Sequence, residues 1–186
     1  MGPINIIGII QEAQKRLVLM PIDIVHDVTH HYRVYENAIK ILEHEKLKIN
    51  DSIVTICAWL HDIEDRKGKK NDQIAKILEK YCVPLYDRKR IINIINEHTY
   101  GKKQSLLESK IIFDADKIEY VNAFRITSLK TAYQNKYIDN ITYQRYLQEW
   151  KERTFNLQNY LHFSYSKSLY LKQYPTARRM LFGKLK

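Results

Sequence analysis

The residues best suited to chemistry in this chain lie together at the end of an apolar run, in the segment Ala58-Trp59-Leu60-His61-Asp62-Ile63-Glu64-Asp65. A neutral imidazole and an adjacent carboxylate can hold one divalent ion from a single rigid segment. Further ligands would have to come from elsewhere, and His30 upstream and Asp116 downstream are candidates. The order of His, His-Asp and Asp on three separate segments predicts a metal-dependent hydrolase.

The segments that carry these residues have helical patterns. Val34, Ala38 and Ile41 recur at three- and four-residue steps, which predicts an amphipathic helix over about 29–45. The next helix is apolar nearly all round, so it should be buried, yet it ends in the His-Asp pair. Polar groups at the end of a core helix cost several kcal/mol unless something pairs with them, and a metal ion would do so.

The rest of the chain has the same helical spacing, so we predict an all-α fold with a single domain. Five Gly and four Pro leave little room for a loop-rich β architecture, and 186 residues are enough for one buried core. We expect the metal-site helices at about 20–125 and a basic, tyrosine-rich helical extension at about 126–186.

Three motifs resemble those of the HD-domain superfamily of metal-dependent phosphohydrolases. They are H-D-x-x-H-x-x-R-V from His26 to Val34, H-D-x-x-D-x-K from His61 to Lys67, and D-A-D-K from Asp114 to Lys117. The likeness covers about residues 20–125 and is greatest to small bacterial members. It implies an HD-type helical bundle with one ion, whose ligands are His30, His61, Asp62 and Asp116.

The resemblance also implies the kind of ion and the residues around it. The superfamily commonly uses Mn²⁺, and a set of imidazoles and carboxylates also suits Fe²⁺, Co²⁺ or Zn²⁺, with Ni²⁺ or Mg²⁺ as further options. Asp65 and Glu64 follow Asp62 closely enough to orient or deprotonate a water molecule. In the related (p)ppGpp hydrolases a Glu-Asp pair lies one residue further along, so Asp65 is the preferred candidate. The cations expected to contact phosphate oxygens are Arg33, Arg66, Lys67 and Lys117.

The other polar residues near these motifs leave alternatives open. His26 and His31 could be ordinary exposed or capping groups, although His26 could also line the site. His98 could support a second ion, as extra histidines do in binuclear members of the superfamily, but a single such histidine favours one ion. Asp114 lies on another helical face from Asp116 and could orient ligands. Two further histidines, His44 and His162, are expected on the surface.

Charge is distributed unevenly along the chain. Residues 117–186 carry 13 Lys+Arg against 4 Asp+Glu, a net charge of +9, whereas residues 1–116 carry 18 against 17. A basic region of this kind attracts polyanions, although a solvated helical face would have the same composition. If it contacts a small substrate, Lys117 and Arg125 are expected to bind its phosphates.

Three functions fit these observations. The first is a phosphohydrolase acting on a nucleotide or another small phosphorylated metabolite. The second is a nucleic-acid-binding or regulatory HD module that uses the basic C-terminal region. The third, which is less favoured, is a di-iron oxygenase, which would need His98 and another added ligand.

The cysteines and the N-terminus predict the compartment. Cys57 and Cys82 lie in apolar helical contexts, which favours buried thiols in a reducing environment. The apolar run at residues 6–10 is too short to span a bilayer and lacks the features of a signal peptide. We therefore expect a cytoplasmic protein with no membrane partner.

Overall fold

The computed structural model of the chain describes residues 4–19, 25–64 and 72–183. Within these ranges there are nine α-helices, two short 3₁₀ helices and no β-strand, which confirms the all-α prediction. The α-helices are α1 (Ile6–Leu19), α2 (Val28–His44), α3 (Asp51–Leu60), α4 (Asp72–Lys80), α5 (Leu85–Glu97), α6 (Leu107–Lys117), α7 (Ala123–Gln134), α8 (Asn140–Asn156) and α9 (Ser164–Phe182). The 3₁₀ helices are Ile118–Val121 and Leu157–Asn159. Among the described helices, none combines the length and the apolar character needed to cross a membrane.

The chain divides into two compact units, Met1–Phe113 (the first unit) and Asp114–Lys186 (the second unit). The division falls inside α6, so the last turn of that helix belongs to the second unit. The predicted boundary of the basic extension lies further along the chain, at about residue 126. That a single domain contains both parts stays a prediction.

The first unit is built around α3, which packs against α1, α2 and α5. The side chain of Asn50 caps this helix by accepting a hydrogen bond from the backbone N–H of Ser52, at 3.0 Å. Residues 53–60 are buried except for Thr55, as the apolar run predicts. The neighbouring helix α2 buries the predicted stripe through Val34, Ala38 and Ile41. The core of the first unit therefore lies beneath the His-Asp pair and holds the end of α3 in place.

The second unit packs α7, α8 and α9 with the 3₁₀ helix at Ile118–Val121. Of the 17 residues of α8 only Trp150 and Thr154 are buried, so this helix lies largely on the surface. The Thr154 hydroxyl donates to the backbone carbonyl of Tyr120, at 3.1 Å, and the Tyr170 hydroxyl donates to that of Thr154, at 3.1 Å. These bonds satisfy buried backbone carbonyls that would otherwise be costly.

The two cysteines differ in their surroundings. Cys57 is buried as predicted, whereas the prediction of a buried thiol at Cys82 is wrong because that residue is exposed. Cys82 follows the end of α4 with φ 55°, and the N–H of Val83 returns to the carbonyl of Leu78, at 2.9 Å. A residue in this left-handed closing position points its side chain away from the helix it ends.

Candidate metal centre

Five imidazole rings of the first unit lie close together, although they come from separate parts of the chain. Neighbouring ring centroids are 5.4 Å apart for His26 and His30, and 5.2 Å apart for both His30–His61 and His61–His98. The fifth ring, His31, lies 4.5 Å from His61. The rings come from the turn before α2, the start of α2, and the ends of α3 and α5. Four of these five histidines are buried, and His26 is partly exposed.

His61 is oriented by the helix that it ends. Its Nδ1 lies 2.8 Å from the carbonyl oxygen of Ala58, one turn earlier. A carbonyl oxygen only accepts, so Nδ1 carries the proton and Nε2 keeps its lone pair. That Nε2 lies 3.2 Å from Nε2 of His30, at the start of α2. The start of α2 is capped by Asp27, whose carboxylate accepts a hydrogen bond from the backbone N–H of His30 at 2.8 Å. Two ring nitrogens that face each other at this distance are well placed to share a cation.

His98 has the same local arrangement at the end of α5. Its Nδ1–H donates to the carbonyl oxygen of Ile95, one turn earlier, which leaves the Nε2 lone pair directed away from the helix. Nε2 lies 3.6 Å from Oδ1 of Asp62, and the His98 side chain has no exposed surface. The sequence left the role of His98 open, and the structure brings it against a predicted ligand.

The carboxylate of Asp62 lies among these rings. Its Oδ2 is 3.6 Å from Nε2 of His61 and 3.8 Å from Nε2 of His26, while Oδ1 faces His98. Burial raises the pKa of Asp62, but the electrostatic interactions of its carboxylate with His61, His98 and His26 outweigh burial and hold the pKa well below its usual range. Asp62 therefore stays ionised at neutral pH, which is the form that binds a cation.

The spacing of these atoms suits a divalent metal. The ligand atoms of His61, Asp62 and His98 (the inner trio) all lie within 4.8 Å of one another, and so do those of His26, His30 and Asp62 (the outer trio). Two ligand atoms that bind one ion at about 2.1 Å lie about 3 Å apart when adjacent and about 4.2 Å apart when opposite. The separations between these atoms, 3.2 to 3.8 Å, fall in that range. Imidazole nitrogens with a carboxylate are ligands for Mn²⁺, Fe²⁺, Co²⁺ or Zn²⁺.

The predicted ligand Asp116 belongs to the second unit, where it ends α6. It is 3% exposed, and its Oδ2 accepts a hydrogen bond from Nζ of Lys117, which is also buried. Lys117 was predicted to contact phosphate, and in this structure it pairs with the neighbouring carboxylate. The role of each residue toward metal or substrate stays a prediction.

Asp114 anchors the start of α9. Its buried carboxylate accepts from the backbone N–H groups of His162, at 2.9 Å, and Phe163, at 3.0 Å, and lies 2.9 Å from Nδ1 of His162. His162 is exposed, as predicted, although its ring is held by Asp114. Asp114 holds the two residues that precede α9 from a distant segment, which no local pattern reveals.

His31 and Arg125 lie in places that the sequence did not suggest. His31 was expected to be exposed or capping, but it is fully buried and its Nδ1 lies 3.1 Å from the carbonyl oxygen of Trp59. It falls on the apolar stripe of α2, three residues before Val34, and that spacing could have predicted its burial. Arg125, considered for phosphate binding, is 3% exposed and lies over the ring of Trp150, at 5.3 Å.

Two predicted site residues of the first unit have other visible contacts. Nη1 of Arg33 donates to Oγ1 of Thr29, at 3.1 Å, on the partly exposed side of α2. Oε2 of Glu64 accepts from the backbone N–H of Gln73, at 2.9 Å, at the start of α4. The remaining predictions, Asp65, Arg66 and Lys67, lie outside the described residues.

Several solved structures share this fold. A protein from Lactobacillus plantarum aligns with a TM-score of 0.76 and 20% identity, over 95% of this chain and 93% of that one. YpgQ of Bacillus subtilis, solved in complex with ADP, aligns with a TM-score of 0.68 and 21% identity, over 91% and 87%. The Lin1889 protein of Listeria innocua aligns with a TM-score of 0.67 and 19% identity, over 96% and 94%. At these identities the likeness shows the fold alone.

The family is identified from the sequence itself. No curated protein matches the chain. The model of the HD domain, in contrast, matches residues 27–121, which is more than half of the chain and includes every predicted metal ligand. The protein therefore belongs to the HD-domain family, within a superfamily of metal-dependent phosphohydrolases.

Proposed function

We propose that the protein is a metal-dependent phosphohydrolase that cleaves a phosphate ester or anhydride of a nucleotide or a related small phosphorylated metabolite. The observation that carries the proposal is the convergence of the Nε2 atoms of His61, His98 and His26 on the ionised carboxylate of Asp62. Membership in the HD-domain family supports hydrolytic chemistry. The ADP bound to the structurally similar YpgQ supports a nucleotide as substrate.

The proposed ligands are the four that the motifs predict, namely His30, His61, Asp62 and Asp116. Mn²⁺ is the proposed ion, and Fe²⁺, Co²⁺, Zn²⁺, Ni²⁺ and Mg²⁺ are the alternatives that the assay must include. When bound, such an ion would lower the pKa of water and stabilise negative charge on a phosphoryl oxygen.

The protein orients histidine rings of the site through hydrogen bonds from Nδ1–H to backbone carbonyl oxygens. The Ala58 carbonyl holds the proton of His61 on Nδ1, so Nε2 is available as a ligand without any change of tautomer. The Ile95 carbonyl holds the ring of His98 in the same way, and His98 is not one of the four proposed ligands but a neighbour of Asp62. A ring already fixed in its binding orientation loses little conformational freedom when it takes up an ion.

Asp65 is the proposed residue that orients and deprotonates the attacking water, since it follows Asp62 by three residues in the sequence. Glu64 is the second candidate. Its Oε2 already accepts the N–H of Gln73, so a role toward water would fall to its other oxygen.

The proposed phosphate contacts are Arg33, Arg66, Lys67 and Lys117. Arg33 follows His30 by about one helical turn, so its long side chain can reach a phosphate that is bound beside the ligands. Lys117 would have to exchange its bond with Asp116 for a bond to substrate, or bind substrate with the hydrogens that remain on its ammonium group.

A hydrolysis screen tests the proposal. Chelator-stripped protein would be reloaded with each metal and assayed on nucleoside mono-, di- and triphosphates, with separate detection of phosphate and pyrophosphate. We expect turnover that depends on added metal and is lost in His61→Ala. Asp65→Asn should lower turnover while its metal content stays unchanged. Equal hydrolysis by stripped and reloaded protein would contradict the proposal.

The alternative of a nucleic-acid-binding module draws on the net charge of +9 over residues 117–186. Oligonucleotide binding that falls steeply with salt and is independent of metal, in a protein without hydrolytic activity, would favour it. The oxygenase alternative would instead require two bound irons and the consumption of O₂.

A further inference from the structure

We propose that the solvent face of α9 is a docking surface for an anionic lipid bilayer, with the helix lying flat on the membrane. This surface goes beyond the proposed function and does not depend on it, since α9 contains none of the predicted site residues. The sequence predicted no membrane partner from the apolar run at residues 6–10. The pattern on α9 emerges only when its exposed side is known.

An apolar stripe runs along this face. Leu171 is 55% exposed and Phe182 is 46% exposed, and Pro175 between them is exposed as well. At 3.6 residues per turn the three side chains lie within about 40° of one another round the helix. The side chains that α9 buries lie about 130° away from the stripe; they are Ser166, Tyr170, Ala177 and Leu181. The stripe therefore faces away from the core of the second unit.

Cations flank the stripe on both sides. Lys167 and Arg178 lie about 40–60° to one side of it, and Lys172 and Arg179 lie about 60–80° to the other. All four are exposed, and no Asp or Glu occurs among the 19 residues of the helix. The solvent face of α9 is therefore both apolar and positively charged.

The helices packed against α9 do not neutralise this charge. Nζ of Lys151, on α8, lies 5.8 Å from the centre of the Phe182 ring and adds a further cation. The helix α7 has no acidic residue. The two acidic residues of α8 are held along α8 itself, Glu149 by Arg153 at 2.8 Å and Glu152 by Gln148 at 2.7 Å.

This combination fits a lipid surface better than a nucleic acid. Leu171 and Pro175 offer a phosphate backbone no hydrogen bond and no ring on which a base could stack. The same side chains gain free energy when they enter the boundary between headgroups and acyl chains. Lysine and arginine beside them extend their charged ends to anionic headgroups. A basic amphipathic helix of this kind is typical of proteins that lie on a membrane.

Pro175 limits how deeply the helix can enter. Proline has no backbone N–H, so the carbonyl oxygen of Leu171 lacks the hydrogen bond of a regular helix. Water can satisfy that oxygen among the headgroups but not in the hydrocarbon core. We therefore expect α9 to lie in the interfacial region.

Vesicle flotation tests this surface. The whole chain would be mixed with vesicles of phosphatidylcholine alone, or of phosphatidylcholine and phosphatidylserine in equal parts. We expect binding to the anionic vesicles only, and weaker binding as salt is added. Replacing both Arg178→Gln and Arg179→Gln should lower the affinity about 30-fold, because two charges are lost. Leu171→Ser should lower it about tenfold, because one apolar side chain no longer enters the interface.

Matched variants in the first unit control for these changes. Replacing both Lys102→Gln and Lys103→Gln removes two adjacent exposed cations, and Ile7→Ser removes an apolar side chain that is 72% exposed. Both should leave vesicle binding unchanged. Circular dichroism and thermal unfolding of every variant would separate lost binding from lost folding.

A tryptophan at the stripe provides a second readout. The native residues Trp59 and Trp150 are only 3% and 2% exposed, so Leu171→Trp adds an indole that is far more accessible than either. Brominated lipids in the anionic vesicles should quench its fluorescence, whereas the indole of Ile7→Trp should not be quenched.

Four results would overturn the proposal. They are no binding to either vesicle, equal binding to neutral and anionic vesicles, equal loss of binding in the lysine control, and no quenching in Leu171→Trp. Oligonucleotide binding that is lost in the double arginine variant but kept in Leu171→Ser, without vesicle binding, would assign this face to a nucleic acid instead.

Discussion

The two units bury polar side chains in opposite ways. In the first unit the buried histidines turn their ring nitrogens toward one another and toward Asp62. In the second unit Arg125 lies over the rings of Trp150 and Tyr120, and the Tyr170 hydroxyl bonds to a backbone carbonyl. The first arrangement brings together groups that can bind a cation, and the second places the guanidinium against aromatic rings and the hydroxyl against a backbone carbonyl.

This difference distinguishes a candidate metal site in the first unit from a packed core in the second. A protein interior tolerates polar groups when they are paired, and a ring system or a carbonyl is a sufficient partner. Facing lone pairs on imidazoles gain nothing from each other and need a proton or a metal between them. Changes in the first unit should therefore affect metal content first, and changes in the second unit should affect stability first.

The largest effect is expected from Asp62→Asn. An amide keeps the volume but loses the charge at the centre of both trios, so bound metal should be lost and hydrolysis should fall by more than about 100-fold. Metal analysis and kcat/KM measure this. Asp51→Asn, at the exposed start of α3, is the control and should change neither. Full metal content in the Asp62 variant would remove this carboxylate from the site.

Acid should destabilise the first unit through His31. Burial, followed by the charge of His30, lowers the pKa of His31 to about 3, whereas the unfolded chain takes up this proton at about pH 6.5. The unfolded state therefore binds more protons between these values, so stability is lost as the pH falls from 6.5 toward 3, by on the order of 4 kcal/mol.

The His31→Phe variant isolates this contribution. Its free energy of unfolding, measured in chelator by denaturant titration, should depend less on pH below 6.5 than that of the wild type. His44→Ala should follow the wild type, since its side chain is exposed. Parallel curves for wild type and His31→Phe would show that His31 is protonated in the folded protein.

Arg125→Met should test the structural character of the second unit. The guanidinium lies 5.3 Å from the centre of the Trp150 ring and 5.6 Å from that of Tyr120, and a desolvated contact of this kind contributes about 2 kcal/mol. We expect a loss of that size in thermal or denaturant unfolding. Arg145→Met removes an exposed arginine over Tyr146, at 5.4 Å, and should cost less than about 1 kcal/mol.

The same variant distinguishes this role from the one that the sequence suggested. If Arg125→Met leaves stability unchanged but raises the KM for a triphosphate more than for a monophosphate, Arg125 binds phosphate. If it lowers stability and leaves both KM values alone, Arg125 belongs to the core of the second unit.

Local patterns in the sequence predicted the central buried helix and the family. The apolar run before His61 predicted a buried central helix because every face of it is apolar, and the order of the motifs predicted which family the chain joins. The approach of His98 to Asp62 depends on how the end of α5 packs near the end of α3. That contact spans 36 residues and leaves no periodic signal.

The same limit explains the missed contacts of the second unit. Asp114 binds the residues before α9 across 48 residues of sequence, and Arg125 contacts an aromatic ring on α8. Asp114 was considered for the site because it begins a motif, and Arg125 because it is charged and follows that motif. A charged residue in a sequence does not tell whether its partner is a substrate or the protein itself, and only the fold decides this.

The smallest effect is expected at alkaline pH, from Tyr170 in the second unit. Burial, followed by the neighbouring Tyr174, raises the pKa of Tyr170 to about 12, against about 10 in an unfolded chain. Between these values the unfolded state loses the proton more readily, so stability falls as the pH rises above 10, by about 1 kcal/mol at pH 11.

Tyr170→Phe should cost about 1 kcal/mol at neutral pH, through the lost bond to Thr154, but should flatten the alkaline decline. Tyr137→Phe, at a residue that is 70% exposed, should reproduce the wild-type curve. An equal alkaline decline in wild type and Tyr170→Phe would show that this hydroxyl ionises in the folded protein. Burial of Tyr170 would then not stabilise the second unit against alkali.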